Sequence, residues 1–131
     1  MLAAQDVPYP SHLVFNAGVA RYADQIVLLL RVAERPVQHD AGALVTALFD
    51  VETQSIVPRS FSRDDPENDF SDPRLIARGG QTYLTSISHL RVARSRDGIH
   101  FSIGERAAIG PASVYETFGI EDPRITKIGD I

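Results

Sequence analysis

Asp72-Pro73-Arg74-Leu75-Ile76-Ala77-Arg78-Gly79-Gly80 aligns without a gap with two other stretches, Asn16-Ala17-Gly18-Val19-Ala20-Arg21-Tyr22-Ala23-Asp24 and Asp122-Pro123-Arg124-Ile125-Thr126-Lys127-Ile128-Gly129-Asp130. Each opens on Asn or Asp, carries an aliphatic residue at its fourth position and reaches a turn at its eighth and ninth. The first two copies then run into apolar strands, Ile26–Leu30 and Tyr83–Ile87. The copies start 56 and 50 residues apart, a spacing that suits a four-stranded propeller blade. A blade buries its faces only against its neighbours, and a ring needs at least about four blades to close. On this reading the chain of 131 residues is all-β. It holds two blades and the opening of a third, the N-terminal part of a single propeller domain. It stops just after the Gly129-Asp130 turn, where the earlier copies begin their second strand. Unpaired strand edges and an exposed blade face would open it to pairing with a second copy as a homo-oligomer.

The flanking sequence agrees with an all-β fold. Glycine and proline are scattered throughout, and no long stretch sustains apolar spacing at three and four. Short strand-like runs are Ile26–Val32, Ala43–Phe49, Tyr83–Ile87 and Leu90–Ala93, separated by turn clusters at Tyr22–Gln25, Arg78–Gln81 and Arg96–Gly98. Gly98 tolerates the positive φ of a tight turn, so Arg96-Asp97-Gly98 reads as a hairpin with Ile99-His100-Phe101 returning. Arg59–Ser71, charged and interrupted by Pro66, reads as an exposed loop.

Composition removes whole classes of function. Thirteen Lys and Arg against seventeen Asp and Glu give a formal charge of −4, so no cationic footprint for nucleic acid exists. With no cysteine there are no disulfides, thiolate zinc sites or cysteine nucleophiles. The longest apolar run, Ile26–Leu30, is far short of a membrane span. The N-terminus lacks the basic and apolar regions of a signal peptide, and a cytoplasmic protein is the expectation.

The repeat's opening residue is the first candidate for chemistry. Short polar side chains at the start of inner blade strands line the mouth of a propeller's channel, which would bring Asn16, Asp72 and Asp122 together. Proline after the two aspartates is expected to hold them extended. Arg74 and Arg124, two residues on, would then point to the same face as their aspartates. An Asp-Pro-Arg can equally be a structural turn. Asp122, preceded by Glu121, is the stronger site candidate, and Asp72 the weaker. Arg31, closing the apolar strand, either pairs with a carboxylate or faces a polar cavity. His12, His39, His89 and His100 show no metal-ligand spacing. His89 in Ser86-Ile87-Ser88-His89 directly follows a strand, and His100 belongs to the surface of the hairpin.

Phe15-Asn16-Ala17-Gly18, Leu28-Leu29-Leu30-Arg31, Ala93-Arg94-Ser95-Arg96-Asp97-Gly98-Ile99-His100-Phe101 and Gly119-Ile120-Glu121-Asp122-Pro123-Arg124-Ile125-Thr126-Lys127-Ile128 together resemble glycoside hydrolase family 130. That family contains β-mannoside phosphorylases and β-1,2-mannosidases on a five-bladed β-propeller. The resemblance implies cleavage of β-mannosidic linkages with inversion, by phosphorolysis to mannose 1-phosphate or by hydrolysis. It implies Asp122 as the proton donor and Asn16 and Arg31 as ligands of the mannosyl unit. Glu121, Arg124 and Asp72 are carried as further substrate-binding candidates. The partner is then a β-mannoside oligosaccharide, with inorganic phosphate as co-substrate and no metal or organic cofactor. The chain departs from the family in Ala17, where many members have proline, and in Pro36–Phe70, longer than in the compact phosphorylases. The phosphate-binding residues of the family lie in later blades. Glycosidases of other five-bladed families, acting on arabinosides or fructosides, place a catalytic Asp where this chain has Asn16. The alternative from another class is a non-catalytic sugar- or protein-binding propeller module.

Overall fold

The computed structural model describes residues 11–129; the end of the third repeat copy at Asp130 and Ile131 lies outside them. The described residues are all-β, with strands β1 (Ser11–Tyr22), β2 (Gln25–Arg35), β3 (Ala43–Asp50), β4 (Ser55–Ser62), β5 (Leu75–Arg78), β6 (Gln81–Leu84), β7 (Ile87–Ser95) and β8 (Ser102–Ile103). Among the described residues, a 3-10 turn covers Val114–Glu116. The runs Ile26–Val32, Ala43–Phe49 and Leu90–Ala93 fall inside β2, β3 and β7 as expected.

The strand order differs from two consecutive blades. One four-stranded antiparallel sheet has the order β1-β2-β7-β8, and residues 36–86 leave it after β2 and return at β7. That excursion carries two hairpins, β3-β4 and β5-β6. Asp72 therefore belongs to the excursion between β2 and β7, just ahead of the two-stranded β5-β6 sheet, and not to the start of a second four-stranded one. The matching gap-free segments reflect shared turn chemistry: Gly79 and Gly80, at φ 57° and 78°, close the β5-β6 hairpin as a mirror-image turn. Positive φ at Ala23, 52°, serves the β1-β2 hairpin.

Local expectations are corrected at four further places. Tyr83–Ile87 is not one strand: the Thr85 N–H bonds to the Arg74 carbonyl at 2.9 Å, which pulls the chain out of line between β6 and β7. Arg59–Ser62 lies within β4 rather than in a loop. There Phe61, 2% exposed, alternates with exposed Ser60 and Ser62. Asn16 sits inside β1 rather than at a strand start. The strand returning after the Asp97-Gly98 turn is Ser102–Ile103, not Ile99–Phe101, because the Asp97 carboxylate accepts the Ile99 and His100 N–H groups and prolongs the turn.

Packing divides along the same line. Leu30, Val32 and Ala93 form the core of the four-stranded sheet, with Ala17, Leu28 and Phe101 against it. Phe61, Ile76 and Tyr83 hold the two hairpins of the excursion together, and Phe118 packs on them from outside. Each such large side chain, fully buried, stabilises by roughly 1.5–3 kcal/mol. On the same face of β2 and β7, buried Glu34 accepts from Arg91 Nη2 at 3.1 Å, and Arg91 Nε donates to His89 Nε2 at 3.0 Å. His89 is thus part of a charged network that ties β2 to β7.

Candidate active site

The site is built where the chain crosses back over the sheet. After the 3-10 turn, Phe49 N–H reaches the Thr117 carbonyl at 2.8 Å, and Phe118 docks in the aromatic cluster. Ser88 in β7 then takes the segment along its free edge: its N–H bonds to Phe118 O at 3.1 Å and its carbonyl accepts from Ile120 N–H at 2.9 Å. Gly119 is required between them. Its φ is 97°, and a Cβ there would stand 1.9 Å from the Ser88 oxygen, inside any allowed contact.

Beyond Ile120 the chain turns from the edge onto the face. Asp122 has φ 46°, in the left-handed region that a non-glycine residue seldom occupies. The extended backbone expected before Pro123 is absent, because this turn swings Glu121 and Asp122 above β2. Pro123–Ile125 then crosses β1 at Gly18, where a Cβ would meet Ile125 Cγ1 at 3.0 Å and Pro123 O at 3.2 Å. Gly18 leaves the room for that crossing.

Arg31 stands under the turn. Its Nη1 pairs with Asp122 Oδ1 at 3.3 Å and its Nη2 with Glu121 Oε1, while its Nε donates to Ser88 Oγ at 3.3 Å. The Ser88 hydroxyl donates onward to Glu121 Oε1 at 3.3 Å. Opposite Arg31, β1 carries an extra residue: the register passes from Val14↔Val32 to Ala17↔Leu30, so Phe15 and Asn16 share the place of one. Bulges of this kind re-aim side chains beside functional sites. Here the Phe15 ring comes to lie 4.6 Å from the Arg31 guanidinium carbon, a cation–π contact. Asn16 is exposed beside it. The Arg31 side chain is 17% exposed and that of Asp122 58%, a fixed cation beneath an accessible carboxylate.

Four of the six residues expected from sequence are thus gathered: Arg31, Glu121 and Asp122 in direct contact, and Asn16 on the facing bulge. Asp72 is not among them. It accepts from Arg74 N–H at 2.8 Å, Nε at 3.0 Å and Nη2 at 2.6 Å, and these bonds to Arg74 hold its carboxyl down to about 2. Arg124 does not face Asp122 either: its Nη1 donates to the Pro123 carbonyl at 3.1 Å, and the cation beside Asp122 comes from β2. Phe15 and Ser88 join the site without a chemical signal of their own in the sequence: Phe15 lies within the Phe15–Gly18 motif, and Ser88 adjoins the titratable His89.

Residues 73–131 match the model of glycoside hydrolase family 130, described as β-1,4-mannooligosaccharide phosphorylase. A β-1,2-mannobiose phosphorylase of Listeria innocua serovar 6a is 45% identical over 120 residues, which is 88% of this chain and 34% of that protein. This chain belongs to glycoside hydrolase family 130. The solved β-1,2-mannobiose phosphorylase from Listeria innocua, in complex with β-1,2-mannobiose, superposes with a TM-score of 0.81 at 40% identity, covering 98% of this chain and 39% of that one. The family 130 chain described here therefore spans about a third of the length of the relatives it matches.

Proposed function

We propose that the family 130 protein carrying this chain is a β-mannoside phosphorylase on a five-bladed β-propeller, with β-1,2-mannobiose or a close relative as substrate. The observation that carries this reading is the Arg31 cluster: a cation held from three sides by Ser88, Glu121 and Asp122, in a fold that superposes on a mannobiose-bound phosphorylase. Arg31 and Asn16 bind and orient the mannosyl unit. Asp122, exposed above them, supplies the proton for the leaving sugar oxygen. A phosphate oxygen bonds to the anomeric carbon from the opposite face as the glycosidic bond breaks. The configuration inverts, and mannose 1-phosphate and the released sugar leave. Such inverting chemistry needs the acid and the attacking group on opposite sides of the ring, far enough apart to admit the nucleophile. A proton donor, a phosphate and a positioned sugar complete it, without metal or organic cofactor.

The test is incubation of the gene product that carries this chain with β-1,2-mannobiose, with and without inorganic phosphate, followed by phosphorus NMR. Mannose 1-phosphate formed only with phosphate is the expected result. Free mannose independent of phosphate would make it a hydrolase. No product of either kind would return the protein to a sugar-binding module.

A further inference from the structure

Ser88 spends every polar group it has on the segment that carries the acid and on the cation below it. It is 1% exposed. Its N–H and carbonyl clamp Phe118 and Ile120, at 3.1 and 2.9 Å. Its hydroxyl accepts from Arg31 Nε and donates to Glu121 Oε1, each at 3.3 Å. The direction of that relay is fixed: arginine can only donate and an ionised carboxylate can only accept, so a hydroxyl, able to do both, is what fits between them. The Nε bond also sets the plane of the guanidinium. Arginine's donors form a rigid fork, so once Nε is anchored on β7, Nη1 and Nη2 must point at Asp122 and Glu121.

We propose that Ser88 is a positioning residue for the proposed phosphorolysis: its hydroxyl locks Arg31 in the plane that aligns Asp122. The inference rests on the reading of Asp122 as the acid for its kinetic consequence, but not for its geometry. Hydrogen bonds to charged groups are worth enough that losing one costs about tenfold or more in an equilibrium, and residues in one network couple rather than add.

Two readouts test it in the gene product that carries this chain. Nitrogen-15 NMR follows solvent exchange of the Arg31 Nε–H, assigned by its disappearance in Arg31→Lys. Ser88→Ala should speed that exchange about tenfold or more. With β-1,2-mannobiose and phosphate, Ser88→Ala should lower kcat/KM by about tenfold, yet change it by less than about twofold in the Arg31→Lys background. Ser88→Cys, which fills the same space with a weak hydrogen-bonding group, should behave as Ser88→Ala and serves if alanine disturbs the fold. Unchanged Nε–H exchange in both variants, or equal losses in both backgrounds, would overturn the proposal and leave Ser88 a packing residue. If the protein turns over no mannoside, the exchange measurement still decides on Ser88, so the two readings fail separately.

Discussion

Asp72-Pro73-Arg74 and Asp122-Pro123-Arg124 are the same tripeptide in two settings. In the first, the aspartate is satisfied by its own arginine, through the backbone N–H and two side-chain nitrogens, and the motif is a self-contained turn ahead of β5. In the second, Arg124 turns to the Pro123 carbonyl, the backbone at Asp122 adopts φ 46°, and its carboxylate takes a partner ninety-one residues away in β2. The difference lies outside the tripeptide. Gly119 lets the chain zip onto Ser88, and Gly18 lets it cross β1. A local motif supplies the polar groups, and the tertiary path decides whether they pair with each other or with a distant partner.

The sharpest way to break this comparison is to neutralise each aspartate in turn. Asp122→Asn should lower mannose 1-phosphate formation by about a thousandfold, the range of a lost general acid, while Asp72→Asn should stay within about twofold, since its bonds serve a turn on the excursion. Equal losses in both would erase the distinction. Glycines draw the same contrast in stability. Gly119→Ala must displace the Ser88 carbonyl and should cost about 4 kcal/mol or more in urea unfolding. Gly79→Ala, at φ 57° with nothing within 4 Å, should cost only about 1 kcal/mol of backbone strain. Phe15→Ala removes one cation–π contact from Arg31 and should weaken mannobiose binding by about threefold in calorimetry, corresponding to roughly 0.5–1 kcal/mol.

The smallest effect is a titration. Proton-detected NMR should place the Asp72 midpoint at about 2, returning toward the ordinary 3.8 in Arg74→Met. Because the folded value lies below the unfolded one, the Asp72 contribution to stability is complete above about pH 4 and fades as pH falls toward 2. A midpoint near 4 in the unaltered protein would mean that the Asp72–Arg74 pair is open in solution.

The all-β class was legible in the sequence because alternation, glycine turns and the Asp97-Gly98 hairpin act over a few residues. Strand order was not. The second repeat copy lines up with the first without a gap and turns at the same positions, yet nothing in Asp72–Gly80 announces that β7 will pair with β2 across residues 36–86. The site was half legible. Arg31, Glu121, Asp122 and Asn16 could be named from the motifs that resemble the family. That Arg31 and not Arg124 would stand beside Asp122 depends on a left-handed residue before a proline, against the usual preference. Ser88 and Phe15 act through one hydroxyl and one ring face, which carry no signal until β7 and the bulge in β1 place them.

The most direct measurement is a crystal structure of the gene product that carries this chain with β-1,2-mannobiose bound. The expected result is sugar hydroxyls within hydrogen-bond distance of Arg31 and Asp122, next to Asn16, with the Asp72–Arg74 pair unchanged and free of sugar. Sugar bound at Asp72 and Arg74, or bound away from Arg31, would contradict it.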